Sequence, residues 1–212
     1  MPQAAPGNLL RIGVFGGAFD PPHCAHQALA EAAIVQLSLD RLHILPTGQA
    51  WHKSRTLTVG EHRLAMCRLA FGHLPAVHVD DRELRRPSAT YTIDTLEEFQ
   101  REYPGARFFL IVGEDQLRAF RTWRRWQDVL SVATLVVAGR PGAEGDSPLS
   151  EGCFAADEVP FQRLLLPLSP ASSTDIRSRL ADPARRSAGL AALVPEAVAG
   201  YISNHSLYQQ PS

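Results

Sequence analysis

Short apolar runs alternate with longer segments of helical periodicity along most of the chain, and this alternation limits the possible folds more than any other feature. Apolar runs that end in Gly or Pro predict buried strands, whereas apolar residues three and four positions apart predict helices. Strands that alternate with helices form a parallel sheet with helices on both faces. The sequence therefore predicts an α/β fold with a Rossmann-like, doubly wound parallel sheet and a small C-terminal helical subdomain.

The same patterns predict where the elements lie. Strands are expected at residues 9–15, 41–45, 76–79, 107–112, 134–138 and 163–168. Helices are expected at residues 25–39, 59–71, 91–103, 172–180 and 194–203, with one or two short helices within 115–130. We expect a long loop at 47–58, a mobile loop at 142–157 and a loose tail after Leu207. The predicted domain covers residues 9–170, and the C-terminal helical segment, residues 171–208, is expected to pack on it.

Composition and charge limit the possible partners. The 212 residues carry a formal net charge of −1, so no overall basic field would hold the protein on nucleic acid or on an anionic membrane. The three cysteines lie far apart, which argues against a disulfide framework and fits a reducing compartment. The sequence shows neither a signal-peptide pattern nor an apolar stretch of about 18 residues. These features predict a cytoplasmic protein without nucleic-acid or membrane partners.

The first motif runs from Gly16 to His26, after the first predicted strand and into the first predicted helix. Two glycines at a strand end let backbone amides approach a phosphate, and a helix N-terminus adds partial positive charge. His23 and His26 are three positions apart and therefore share a face of the first helical turn. The residues alone leave three interpretations open: a polyphosphate site, a simple turn with a surface histidine pair, or part of a zinc site. The fingerprints of dinucleotide-binding dehydrogenases and of P-loop proteins are absent, which weakens both of those readings.

The second motif, at residues 172–177, follows the last predicted strand. Ser172 with Asp175 three positions later is typical of a helix N-cap. Three hydroxyls, from Ser172, Ser173 and Thr174, together with Arg177 at the start of a helix also make an anion site. Both interpretations stay open from the residues alone.

Taken together, the two motifs resemble the signatures of the nucleotidyltransferase superfamily with a His-x-Gly-His motif, although Ala25 stands where that family has glycine. Further resemblances point to the bacterial nicotinate-nucleotide adenylyltransferases. They are the stretches Arg82-Glu83-Leu84, Thr90-Tyr91-Thr92, Gly113-Glu114-Asp115, Thr122-Trp123 and Gly139-Arg140-Pro141. Lys53 similarly resembles the lysine of that family's Pro-Pro-His-Lys loop, with Ala50 and Trp51 in place of the prolines.

This resemblance implies adenylyl transfer from ATP to nicotinate mononucleotide, which gives nicotinate adenine dinucleotide and pyrophosphate. It implies catalytic roles for His23, His26 and Arg177. It implies an ATP site formed by Gly16, Gly17, Phe19, Lys53, Gly113, Asp115, Ser172, Ser173 and Thr174. It implies a mononucleotide site formed by Tyr91, Thr92, Trp123 and Arg140. Mg²⁺ is expected to accompany ATP, held mainly by phosphates and water, and no metal ion bound by the protein itself is expected.

Three alternatives remain open at this stage. The acceptor could instead be nicotinamide mononucleotide or phosphopantetheine. Acid and amide are hard to separate by sequence, because only a few hydrogen bonds of a binding site distinguish a carboxylate from an amide. The chain could be a nucleotide-binding module without catalysis. Trp123 could pack in the core rather than stack on a pyridine ring. The sequence does not distinguish a monomer from a homodimer.

Overall fold

The computed structural model describes residues 9–48, 57–139, 151–152, 159–166, 171–182, 184–185 and 190–209. The strands are β1 Arg11–Gly17, β2 Arg41–Pro46, β3 Val77–Val79, β4 Arg107–Gly113, β5 Ala133–Gly139, β6 Glu151–Gly152 and β7 Phe161–Leu165. The helices are α1 Cys24–Gln36, α2 Gly60–Phe71, α3 Arg82–Arg85, α4 Thr92–Glu102, α5 Glu114–Ala119, α6 Trp126–Val132, α7 Ser173–Ala181 and α8 Glu196–Asn204. Two single 3₁₀ turns, Phe120–Thr122 and Leu190–Ala192, complete the described elements.

The strands form one sheet in the order β3-β2-β1-β4-β5-β7-β6. All described neighbours pair in parallel except β6, which is antiparallel to β7. The order reverses between β1 and β4, and such a switch point opens a crevice at the carboxyl ends of the two strands. The predicted fold class, a doubly wound α/β sheet, is confirmed.

Two apolar cores lie on the two faces of the sheet, because successive side chains of a strand point to opposite faces. In β1, Phe15 joins the core beneath α1, α2, α7 and α8, whereas Ile12 and Val14 join the core beneath α4, α5 and α6. From the C-terminal segment, Val198 and Ile202 of α8 are buried in the first of these cores. No helix among the described residues is long and apolar enough to cross a membrane.

Several predicted boundaries were wrong. Gly16 and Gly17, expected to close the first strand as a turn, are its last residues and pair with the end of β2. Helix α1 ends at Gln36 rather than at residue 39, because the chain turns through Ser38 at a φ of 46°. The last long strand lies at Phe161–Leu165, two residues earlier than predicted at its start.

Three local features were not predicted. The short helix α3, Arg82–Arg85, follows β3 directly. Within the segment predicted as a mobile loop, Glu151–Gly152 forms β6, and the rest lies outside the described residues. The tail after Leu207 was predicted to be loose, but the hydroxyl of Tyr208 donates a hydrogen bond of 2.7 Å to Oδ1 of Asp20.

Candidate active site

A cleft of about 650 Å³ lies at the switch point of the sheet. Its floor is formed by the ends of β1 and β4, one side by residues 90–95, and the other side by the start of α7. This volume is typical of clefts that hold small molecules. The position agrees with the general rule that open α/β sheets bind ligands where the strand order reverses.

The glycines of the first motif keep the floor of the cleft open. A Cβ atom built on Gly16 would have no neighbour within 4 Å, so a glycine there leaves space for a ligand. A Cβ atom on Gly17 would lie 3.1 Å from the ring of Phe19. Phe19 is buried and has a φ of 46°, a left-handed conformation that is uncommon for a bulky residue. The loop after β1 is therefore tightly folded back on the strand.

The two histidines of the first motif stack on each other. Their ring centroids are 3.7 Å apart at an interplanar angle of 24°. His26 lines the cleft, whereas His23 is only 6% exposed and is not among the residues that line it. The backbone N–H of His23 donates a hydrogen bond of 3.2 Å to Nδ1 of His26. Since Nδ1 of His26 accepts this bond, its neutral ring carries the proton on Nε2.

Burial keeps both imidazoles neutral near pH 7. Desolvation lowers the pKa of His23 to about 4. Desolvation, followed by the neighbouring charge of His23, lowers the pKa of His26 well below its ordinary value. Each ring can therefore donate one hydrogen bond without bringing a full positive charge into the cleft.

The second motif is bonded directly to the first. Nη1 of Arg177 donates a hydrogen bond of 2.7 Å to the carbonyl of Asp20, and Oγ of Ser173 donates one of 3.0 Å to the carbonyl of Pro21. Nη2 of Arg177 donates to Oγ1 of Thr174 at 3.2 Å. Ser173, Thr174 and Arg177 all line the cleft together with His26. The structure thus brings the histidine motif and the hydroxyl-arginine motif to one cleft.

Ser172 has a local structural function. Its side chain accepts a hydrogen bond of 3.1 Å from the backbone N–H of Asp175 and so caps α7. The Asp175 carboxylate instead accepts a hydrogen bond from Arg179 at 2.8 Å. Ser172 is exposed and does not line the cleft.

An aromatic and cationic wall closes one side of the cleft. Tyr91, Thr92 and Trp123, which the resemblance assigns to the mononucleotide, line this wall together with Arg124. Trp123 is half-buried and packs on Phe120 at a centroid distance of 5.2 Å, so it has a packing role as well as a surface in the cleft. The guanidinium carbon of Arg124 lies 4.6 Å from the centroid of the Tyr91 ring. This wall suits a flat heteroaromatic ring that carries negative charge.

Gly113 and Asp115 line the cleft at the end of β4. A Cβ atom on Gly113 would lie 2.7 Å from Oδ1 of Asp115, so glycine at this position allows the carboxylate to turn back over the strand end.

Glu83 also lines the cleft, although it was not predicted as a site residue. Its Oε1 accepts a hydrogen bond of 3.0 Å from the hydroxyl of Thr95, which in turn accepts one of 2.8 Å from Arg86. Burial raises the pKa of Glu83 above its ordinary value. The Arg-Glu-Leu resemblance contained this residue, and that resemblance was the only signal for it.

Comparisons with known proteins identify the family. A family model described as cytidylyltransferase-like matches residues 14–179. A protein of Albidiferax ferrireducens named probable nicotinate-nucleotide adenylyltransferase is 50% identical over 199 residues, which cover 94% of this chain and 98% of that protein. A protein of the same name from Methylibium petroleiphilum is 40% identical over 201 residues, which cover 95% of this chain and 93% of that protein. The chain belongs to the nicotinate-nucleotide adenylyltransferase family.

Solved structures agree on the fold of this family member. Plasmodium falciparum nicotinic acid mononucleotide adenylyltransferase complexed with APC matches with a TM-score of 0.71 at 16% identity, covering 94% of this chain and 97% of that one. The complex of the Plasmodium falciparum protein with NaAD matches with a TM-score of 0.70 at 17% identity and the same coverage. At such low identity the likeness concerns the fold alone.

The family resemblance drawn from the two motifs is confirmed, whereas the roles of individual residues stay predictions. Lys53 and Arg140 lie outside the described residues. Ala25, in place of the family's glycine, is half-buried in the first turn of α1 and does not line the cleft. Location in the cytoplasm also stays a prediction.

Proposed function

We propose that this member of the nicotinate-nucleotide adenylyltransferase family transfers the adenylyl group of ATP to the 5′-phosphate of nicotinate mononucleotide. The products are nicotinate adenine dinucleotide and pyrophosphate. The observation that carries the proposal is the convergence of His26, Ser173, Thr174 and Arg177 on one side of a cleft whose other side presents Trp123. A triphosphate and a flat acceptor ring are the two chemical groups that these walls suit.

The reaction needs no general base to form the nucleophile. A phosphate monoester is largely ionised near pH 7, since its second pKa is about 6. An oxygen of the acceptor phosphate attacks the α-phosphorus of ATP, a new P–O bond forms, and the bond to the β-phosphate oxygen breaks. The protein's task is to align the two phosphates and to stabilise the charge that moves to pyrophosphate.

The triphosphate side of the cleft supplies hydrogen-bond donors of two kinds. Arg177 is permanently charged and is oriented by its bond to the Asp20 carbonyl, so it suits the β- and γ-phosphates of the leaving group. His26 offers Nε2–H as a neutral donor whose direction is fixed by the His23 backbone and by stacking on the His23 ring. Donors held in place before reaction are worth more than mobile ones, because they need no reorganisation. We therefore assign His26 and Arg177 to direct phosphate contact and His23 to the support of His26.

Mg²⁺ fits this site as an ion carried by ATP. Among the described residues that line the cleft, Glu83 and Asp115 are the carboxylates, and Glu83 is already bonded to Thr95. The hydroxyls of Ser173 and Thr174 add neutral oxygen atoms beside the phosphate side. Mg²⁺ typically keeps several waters and binds substrate phosphates with one or two protein oxygens. When bound, it would neutralise phosphate charge.

Arg124 supports an acid rather than an amide as the acceptor. Its guanidinium lines the cleft beside Trp123 and Tyr91. A carboxylate on a ring stacked against Trp123 would form an ion pair with this guanidinium, whereas an amide offers only an uncharged acceptor oxygen. We propose that Arg124 favours nicotinate over nicotinamide mononucleotide.

A pyrophosphate-release assay tests the proposal with ATP and, in turn, nicotinate mononucleotide, nicotinamide mononucleotide and phosphopantetheine. We expect the highest kcat/KM with nicotinate mononucleotide. Arg124→Ala should reduce the ratio of kcat/KM between the acid and the amide by about tenfold. Arg121→Ala is the matched control, because Arg121 is exposed and lies near Trp126 outside the cleft lining.

Two results would contradict the proposal at different levels. No pyrophosphate release with any of the three acceptors would exclude adenylyl transfer to them. A wild-type preference for the amide would contradict nicotinate mononucleotide as the preferred acceptor. An unchanged acid-to-amide ratio in Arg124→Ala would remove Arg124 from acceptor selection. Both results would leave the reaction type in place.

A further inference from the structure

A buried histidine interrupts the apolar pattern of β2. His43 lies on the face covered by α4, where its ring contacts Phe99 at a centroid distance of 4.4 Å. It is 1% exposed, at a position where a strand covered on both sides normally carries an apolar residue. Among the described residues, neither ring nitrogen has a hydrogen-bond partner. Buried polar atoms are nearly always bonded, so the two nitrogens of His43 need an explanation.

The strand register places two further ligand-type side chains beside His43. His78 of β3 is the direct neighbour of His43 in the parallel ladder, and the two ring centroids are 5.3 Å apart. Asp80 follows the end of β3, and its Oδ2 lies 3.4 Å from Nδ1 of His43. One ligand atom from each of the three side chains lies within 4.8 Å of the other two.

One of these separations already matches the spacing of ligand atoms around a small tetrahedral ion. Ligand atoms bound to zinc at about 2.0–2.2 Å in tetrahedral geometry are about 3.3–3.6 Å from one another. The distance of 3.4 Å between His43 and Asp80 already lies in this range. His78 is exposed, so a small rotation of its side chain can complete the set without moving the core. Its exposure also leaves a fourth position open to water.

The neighbouring arginine does not prevent cation binding. Arg82 donates to Oδ2 of Asp80 from Nε at 3.0 Å and from Nη2 at 2.7 Å. It also donates to Glu102 at 2.8 and 3.0 Å and to Glu98 at 3.4 Å, and it lies 3.9 Å above the Phe99 ring. Because two other carboxylates neutralise the guanidinium, Asp80 can exchange one of its hydrogen bonds for a metal ion.

We propose that His43, His78 and Asp80 form a binding site for one divalent ion of the zinc class at the β2–β3 edge of the sheet. None of the three residues lines the candidate active cleft. A set of two imidazoles and one carboxylate favours first-row transition metals over Mg²⁺. Mg²⁺ is usually bound by oxygen atoms alone. The bound ion would fasten β3, the described edge strand on this side, to β2. This site is structural and is separate from the place where the Mg²⁺ that accompanies ATP would bind.

The test uses the full chain without an affinity tag, freed of metal by a chelator and without nucleotide. Co²⁺ is titrated first, because tetrahedral Co²⁺ absorbs visible light far more strongly than the octahedral aqueous ion, and Zn²⁺ is then added to displace it. We expect one equivalent of Co²⁺ to bind with this absorption, and Zn²⁺ to raise the Tm of the metal-free protein. His78→Ala should weaken Co²⁺ binding by about tenfold or more, a loss typical of altered metal sites.

Controls separate this site from other histidines. His73→Ala should bind Co²⁺ as the wild type does, because His73 is an exposed histidine outside the cluster, beside Glu31. His43→Leu restores an apolar residue in a buried apolar environment, so it should fold and fail to bind. Absence of the tetrahedral Co²⁺ spectrum, or equal Co²⁺ binding in the wild type and His78→Ala, would overturn the proposal. Neither readout depends on adenylyl transfer, so failure here leaves the proposed function untouched.

Discussion

Replacement of His26 by Ala is the strictest test of the assignment of His26 to phosphate contact in the cleft. The change removes the acceptor of the His23 backbone N–H, the ring stacked on His23 at 3.7 Å, and an edge contact with Phe19 at 5.1 Å. The lost hydrogen bond costs about 1 kcal/mol and the ring pairs about 1–2 kcal/mol together. We therefore expect the free energy of unfolding to fall by about 2–3 kcal/mol.

This loss of stability cannot by itself abolish activity. A domain with an unfolding free energy of about 5 kcal/mol would keep about 2 kcal/mol, which leaves about thirty folded molecules for each unfolded one. Unfolding would then remove only a few per cent of the turnover. Loss of one preorganised donor to the reacting phosphates should lower kcat by about 100-fold or more. The two effects differ enough in size to be measured separately.

The assay combines urea unfolding with pyrophosphate release at saturating ATP and nicotinate mononucleotide. Ile202→Val is the control, because it removes a methyl group from the buried α8 core and costs about 1 kcal/mol without touching the cleft. We expect that control to lose stability and keep full kcat. A His26→Ala enzyme with kcat within a few-fold of wild type would refute the assignment of His26 to phosphate contact.

Three further predictions follow from single contacts. Trp123→Ala should raise KM for the mononucleotide by about tenfold and leave KM for ATP unchanged, because we assign its aromatic face to the acceptor alone. An equal rise in KM for both substrates in steady-state kinetics would indicate a packing role. Tyr208→Phe should lower the free energy of unfolding by about 1–2 kcal/mol, since it removes the donor to the buried carboxylate of Asp20; unchanged urea unfolding would contradict this. His23 has a folded pKa of about 4 and an unfolded pKa of about 6.5, so the unfolded state binds more protons between these values. Its contribution to the free energy of unfolding is complete above about pH 6.5 and falls by about 3 kcal/mol as the pH drops to about 4. If the stability of a His23→Gln variant fell as steeply as that of the wild type over this range, His23 would not be the source of the pH dependence.

The alternation of elements made the sheet and the location of the cleft predictable. Apolar strand residues such as Ile12 and Ile111 report burial directly, and the carboxyl ends of parallel strands can be located once the strands are known. The two motifs added the residues at those ends. Both motifs were expected to converge on one triphosphate, but their direct bonds, such as that from Arg177 to the Asp20 carbonyl, were not predicted.

Other features depend on contacts between distant residues and leave little trace in local sequence. Helix α3 has only four residues, too few for helical periodicity, and its first residue Arg82 is held by Asp80 and Glu102. Strand β6 has two residues and exists through its pairing with β7. Tyr208 was placed in a loose tail because nothing nearby in the sequence reveals its partner, which is 188 positions away. In each case tertiary contacts outweigh local propensity.

The long separation between Asp20 and its partners has a consequence for synthesis in the cell. The loop that follows β1 leaves the ribosome long before α7 and Tyr208, whose side chains bond to it. At about 5–20 residues per second, the 157 positions between Asp20 and Arg177 take about 8–31 s to translate. Throughout that interval the nascent chain holds the histidine half of the nucleotide site without the other half. Activity should therefore begin only after α7 has left the ribosome, and chains that terminate before α7 should be inert even where most of the sheet has formed.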